Sequence, residues 1–200
     1  MYIPRNFRVD SDQEIFNFVE ANAFGQLVSN VGGRIFSTHL PVLLSGDRKH
    51  IVAHVAKANP QHKEIDGQEV LITLEGPHGY VSPSWYENPG VPTWNYQAVH
   101  IYGYARVFDD RDRLMAVVES LTAKYEKQFP VPWVPAYNEA MLNAIVGIEV
   151  EITEVQGKFK LGQNRKSEDI EGVVSKLREL GLSDLAEATE QYALADAVQD

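Results

Sequence analysis

Residues 76–107 read GPHGYVSPSWYENPGVPTWNYQAVHIYGYARV, from Gly76 to Val107. The stretch holds two of the three tryptophans and five of the nine tyrosines, so it is no ordinary solvated loop. Its density of Pro, Gly and Asn excludes a helix. The first half reads as turns joining two short extended pieces, and from Thr93 onward the sequence reads as one long strand. Val99, Ile101, Ala105 and Val107 point to one side of that strand, and Trp94, Tyr96, His100, Tyr102, Tyr104 and Arg106 to the other. The first set suits the interior of a closed barrel. The second is too aromatic for a solvated face, and rings with an apolar body and a polar tip suit a subunit contact or a planar, polar-edged ligand. An aromatic-rich core corner is the plainer alternative.

Outward from this stretch, the N-terminal side is rich in short strands. Ser11-Asp12-Gln13-Glu14 is a capping box, followed by Ile15, Phe16, Phe18 and Val19 at helical spacing, with a helix end expected near Asn22. Phe24–Ser29 and Arg34–Leu44 form a hairpin around Gly32-Gly33. Pro41 cannot donate to a ladder and belongs at an edge or a bulge. Lys49–Val55 is a third strand, running into a junction where Asn59 caps a short helix that starts at Pro60. Gln68–Glu75 is a fourth.

On the C-terminal side, Asp110–Lys127 is an amphipathic helix with Leu114, Val117, Val118, Leu121 and Tyr125 inward. A Pro-rich link carries Trp133, and a short helix covers Glu139–Ala144. Ile145–Val155 is the last strand, followed by a basic, amide-rich strip from Gln156 to Arg165. Two amphipathic helices, Ser167–Leu180 and Ser183–Ala195, meet at Gly181. Six or so strands with short turns and peripheral helices predict a mainly β, α+β fold built on a small antiparallel barrel. The expected division is a barrel domain over 1–165 and a helical extension over 166–200.

Composition narrows the function. The 200-residue chain has no cysteine, which removes disulfides, thiolate metal sites and cysteine nucleophiles. It has neither an apolar signal core nor a run of membrane-spanning length, so a cytoplasmic location is the expectation. Its formal net charge of −10 opposes a broad DNA-binding face. No glycine-rich nucleotide fingerprint follows a strand.

Three chemistries compete. The first is an anion- and ring-binding site from Thr38-His39, the His54–Asn59 junction with Lys57, and the strip containing Lys160, Gln163, Asn164 and Arg165. Backbone N–H groups at a helix start and nearby cations suit a phosphate, and the amides suit the edge of a heterocycle. The second is a metal or haem site from His39, His54, His78 and His100, whose spacings match no compact ligand motif. The third is hydrolysis through Ser82 or Ser84, which lacks a nucleophile elbow.

Several strings together resemble the PaiB family, the FMN-binding negative transcriptional regulators. They are Met1-Tyr2-Ile3-Pro4, Thr38-His39-Leu40-Pro41, His54-Val55-Ala56-Lys57-Ala58-Asn59-Pro60-Gln61, Gly76-Pro77-His78-Gly79-Tyr80-Val81-Ser82-Pro83-Ser84-Trp85-Tyr86, Val91-Pro92-Thr93-Trp94-Asn95-Tyr96, and Gly157-Lys158-Phe159-Lys160-Leu161-Gly162-Gln163-Asn164-Arg165. The resemblance implies an FMN-binding split β-barrel of the pyridoxamine-phosphate-oxidase type, forming a homodimer with flavin sites at its interface. One departure stands out: the family's last block usually reads Lys-Leu-Ser-Gln-Asn, and Gly162 replaces the Ser. If that hydroxyl touches the flavin phosphate, its loss costs about 0.5–1.5 kcal/mol, up to about tenfold in affinity.

With that resemblance, Lys57 and the Asn59 turn are expected to hold the phosphate, helped by Lys160 and Arg165. Thr38, His39 and Leu40 are expected to line the ring through backbone and side chain, with His54 nearby. Trp94 and Asn95 are expected to close the site from the partner subunit, with Gln163 and Asn164 near the ring edge. No catalytic acid or base is identified. The C-terminal helices imitate a helix-turn-helix, but Glu168, Asp169, Glu171, Glu179, Asp184, Glu187 and Glu190 on their expected outer face repel phosphates, so direct DNA binding is expected to be weak or absent. A flavin-linked regulator, a flavin-dependent oxidoreductase acting on a small molecule, and a haem-binding split barrel remain the three functional readings.

Overall fold

The computed structural model of the chain describes residues 1–194. The expected end of the second C-terminal helix at Ala195 therefore lies outside the described residues. The strands are β1 Arg8–Val9, β2 Phe24–Val31, β3 Arg34–Pro41, β4 Leu43–Leu44, β5 His50–Ala56, β6 Glu69–Val81, β7 Thr93–Phe108 and β8 Ile145–Lys160. The helices are α1 Asp12–Ala21, α2 Arg111–Glu126, α3 Glu139–Asn143, α4 Ser167–Glu179 and α5 Ser183–Thr189, followed by a wider turn at Glu190–Leu194. The hydrogen-bonded strand order is β3-β2-β6-β7-β8-β5-β4, with β1 on β8.

Contacts divide the chain into two units that do not follow the expected boundary at residue 165. The first comprises Met1–Ile15, Glu75–Val99 and the chain from Gln156 on; the second comprises Phe16–Leu74 and His100–Val155. The strands β6, β7 and β8 are long enough to contribute residues to both.

In the second unit, β2 and β3 form the expected hairpin. Gly32 and Gly33 have φ of 58° and 76°, the left-handed pair that a tight two-residue hairpin needs. Pro41 closes β3, an edge strand of the sheet, where a missing N–H costs no ladder bond. The strand β5 pairs antiparallel with β4 and β8. Leu27, Leu40, Ile51, Ile72, Leu74, Ile101 and Ile148 are almost fully buried here, each contributing about 1.5–3 kcal/mol of hydrophobic stabilisation. A smaller cluster joins Leu114 and Val118 of α2 to Leu142 of α3, with Phe108, Tyr137 and Ile145 against it. The Asp110 carboxylate caps α2 by accepting from the Arg113 N–H at 2.9 Å.

The first unit holds the aromatic stretch. The fourth strand, expected to end at Glu75, continues to Val81. The β2 pairing stops at Leu74, so Pro77 lies beyond the point where that neighbour demands a donor. Residues 156–160 of the expected basic strip likewise belong to β8. Phe159, Leu161, Leu177 and Leu185 are almost fully buried in this unit. Along β7 the burial alternates strictly from Trp94 to Arg106, odd positions inward and even positions at least partly exposed, as the sequence pattern requires.

Candidate functional site

The residues singled out from the sequence fall into both units. Thr38, His39, Leu40, His54, Lys57 and Asn59 belong to the second, and Trp94, Asn95, Lys160, Gln163, Asn164 and Arg165 to the first.

In the second unit, Thr38 and Asn59 are joined by a residue that sequence reasoning passed over. The Thr38 hydroxyl donates to Gln61 Oε1 at 2.6 Å and accepts from Asn59 Nδ2 at 2.8 Å. The Gln61 side chain is wholly buried and donates to the Leu27 carbonyl and the Ser29 hydroxyl at 3.1 and 2.9 Å. Asn59 Oδ1 accepts from the Gln61 N–H at 3.0 Å, which is the expected cap. A polar residue directly after a capped proline was the available signal. This network fixes where β3 meets the turn.

Two expectations for this region are corrected. The helix after Asn59 is a single tight turn, Pro60–Lys63, and its start is not rich in free amides. The N–H groups of Lys57, Asn59 and Gln61 donate to Ala144 O, Ala56 O and Asn59 Oδ1, and Pro60 has none. Lys57 presents an exposed ammonium here. Leu40 is 3% exposed, so its side chain is spent on the core and cannot line a ring. His39 is exposed and stacks on Phe24, ring centroids 6.4 Å apart. His54 is half-buried, its Nδ1 is enclosed without a hydrogen-bond partner, and burial pushes its pKa down, so the imidazole is neutral at neutral pH.

In the first unit, Trp94 is 56% exposed and meets the exposed Tyr80 edge-on, centroids 6.3 Å apart. Asn95 is buried, contrary to its expected role at a subunit contact, because adjacent strand residues point to opposite faces. Lys160 donates to Thr93 Oγ1 and to the Trp94 carbonyl, the latter at 2.6 Å. Burial and the charge of Lys158 lower its pKa. Gln163 is turned back on its own chain, accepting from the Leu161 N–H at 2.8 Å and donating to the Phe159 carbonyl at 2.6 Å. Asn164 is exposed. The Arg165 guanidinium lies 4.3 Å over the Tyr86 ring, donates to the Pro89 carbonyl and sits 3.9 Å from Asp169.

Asp169 corrects the reading of an acidic outer helix face. It is 1% exposed and held by Asn88, while Glu168, Glu171, Glu179, Asp184, Glu187 and Glu190 are exposed as expected. The Ser82 and Ser84 hydroxyls bond each other at 2.8 Å around a short turn. Among the described residues no three His, Asp or Glu side chains are placed to hold a metal ion.

The second unit presents an exposed cation and a neutral imidazole with an unfilled nitrogen, and the first unit presents an exposed indole. Residues 1–154 match the family model described as "Putative FMN-binding domain". The chain belongs to this FMN-binding family. It is 40% identical to Protease synthase and sporulation protein PAI 2 of Bacillus subtilis, covering 89% of each chain, in agreement with the PaiB resemblance. Its fold is similar to that of the flavocytochrome Anf3 of Azotobacter vinelandii, with a TM-score of 0.66 and 15% identity over 80% of this chain and 73% of the other. It is also similar to a FAD and heme binding protein of Mycobacterium smegmatis, with a TM-score of 0.60 and 14% identity over 78% and 74%. The family's architecture is the antiparallel split barrel and its cofactor is FMN. Among the described residues no helix is long and apolar enough to cross a membrane.

Proposed function

We propose that this chain is a flavin-linked regulator: a homodimer that binds FMN and passes on the flavin's state without tight, direct DNA binding. Lys57 is the phosphate cation, with Thr38 and His39 at the ring. Trp94 closes the site from a partner subunit. Lys160 and Arg165 have a smaller part, because both already hold neighbouring groups. The observation that carries this reading is the exposed Trp94–Tyr80 ring pair in an FMN-binding family, since monomers seldom leave such rings bare. The exposed carboxylates of α4 and α5 argue against a recognition helix.

The test begins with the absorption spectrum and oligomeric state of the purified protein, with and without FMN. A yellow dimer whose FMN affinity falls about tenfold in Lys57→Ala, with a smaller loss in Arg165→Ala, supports the assignment. Unchanged affinity in both variants removes the phosphate roles. Steady reduction by a nicotinamide cofactor with reoxidation by a small molecule favours the oxidoreductase reading. A tight, salt-dependent shift of promoter DNA at physiological salt overturns the claim about DNA.

A further inference from the structure

The N-terminal strand of the first unit brings a third cation beside two lysines of β8. Arg8 stands directly opposite Lys158 in the antiparallel β1–β8 pair, so both side chains leave the sheet on the same side. Lys160, two residues further on, shares that side. The chain carries 28 Asp and Glu residues, yet none of the ion pairs among the described residues involves Arg8, Lys158 or Lys160.

Aromatic rings stand where carboxylates are expected. The Lys158 ammonium is 5.3 Å from the Tyr96 ring centroid and 5.7 Å from that of Tyr2. The Lys160 ammonium is 5.9 Å from the Phe7 centroid. Lys158 is only 9% exposed. Ring faces attract an ammonium without neutralising it. Burial, and after it the like charge of Lys158, lowers the pKa of Lys160. Three cations on one face beside aromatic rings favour an anionic partner.

We propose that Arg8, Lys158 and Lys160 form a binding site for a small organic anion other than FMN, a carboxylate or phosphate carried on a planar apolar body that fits beside Tyr2, Phe7 and Tyr96. The site shares only Lys160 with the flavin assignment, where that residue has a minor part, and it names the class of substrate or effector that assignment leaves open.

Calorimetric titration of the full chain with benzoate, and separately with inorganic phosphate, tests it. At least one of the two binds the wild type, more weakly at higher salt, and which one identifies the head group. Lys158→Met lowers that affinity about tenfold or more, Lys158→Arg restores most of it, and FMN affinity changes less than about twofold in both. If Lys158→Met fails to fold by circular dichroism, Arg8→Met carries the same measurement. Binding of neither anion, or unchanged affinity in the charge-removing variants, overturns the proposal. A loss of FMN affinity as large as the loss of anion affinity also overturns it, by assigning Lys158 to the flavin.

Discussion

Asn88 and Asp169, 81 residues apart in sequence, are joined twice: the Asp169 carboxylate accepts from the Asn88 N–H at 2.9 Å and from its side-chain amide at 3.1 Å. The pair ties the middle of the aromatic stretch to the first turn of α4. Burial alone raises the Asp169 pKa, but the Asn88 and Glu87 donors and Arg165 outweigh it and hold the carboxyl below its ordinary value.

Replacing Asp169 with Ala should therefore cost about 2–3 kcal/mol, because charge-assisted hydrogen bonds are lost and the Asn88 donors are left behind. Urea unfolding measures it. The sign with pH follows from the depressed folded pKa. The contribution is complete above the unfolded value of 3.8 and disappears as pH falls through the folded value, so the variant should lack part of the wild type's acid destabilisation. Equal stability of the two proteins at neutral pH would contradict this.

Gln61 is the second position where a buried polar side chain organises its surroundings. A Leu of similar size removes its bonds to the Leu27 carbonyl, the Ser29 hydroxyl and the Thr38 hydroxyl. At about 1 kcal/mol for each bond, Gln61→Leu should lose about 3 kcal/mol. The same variant should weaken FMN binding if Thr38 and Asn59 are positioned through Gln61, which a flavin titration at a temperature well below the melting point reads separately from stability.

Much of the fold was legible because period-two patterns survive tertiary packing. The β7 face from Trp94 to Arg106 and the Gly32-Gly33 hairpin follow from steric rules that hold inside a single strand or turn. Strand ends were less legible. Pro77 and the glycines around it signal a turn locally, yet β6 runs through them because the neighbour that would demand a donor has already ended. The candidate residues were legible as types, not as orientations. Asn95, Leu40 and Asp169 were read as presented groups and are buried, because facing depends on partners distant in sequence. Gln61 and the Arg8–Lys158 register depend on such pairings and left little trace in the local pattern.

His54 provides a second pH-dependent test, with the same direction of proton uptake on unfolding but in a higher pH window. Burial lowers its folded pKa below the ordinary 6.5, so the unfolded chain binds more protons between the two values. Stability should fall as pH drops through the unfolded value toward the folded one. His54→Phe, which cannot titrate, should show a shallower loss between pH 8 and about pH 5.5. Thermal melts across that range decide it; parallel curves for the two proteins would place the titrating group elsewhere.

Gly162 adopts a φ of +95°, where a side chain is strained, and this recasts the departure from the family's usual Ser at that position. The space itself is open, since a Cβ there would meet nothing nearer than the Asn95 amide at 4.0 Å. Gly162→Ser should thus lose about 1–2 kcal/mol through backbone conformation alone, without a packing clash. Were the Ser hydroxyl to reach the flavin phosphate, affinity for FMN would rise by up to about tenfold in the same variant. Stability and FMN affinity should then move in opposite directions. A variant that is both less stable and no better at binding FMN would show that this turn serves the chain's own geometry and not the cofactor. A variant with unchanged stability would mean that the turn relaxes to accept a side chain.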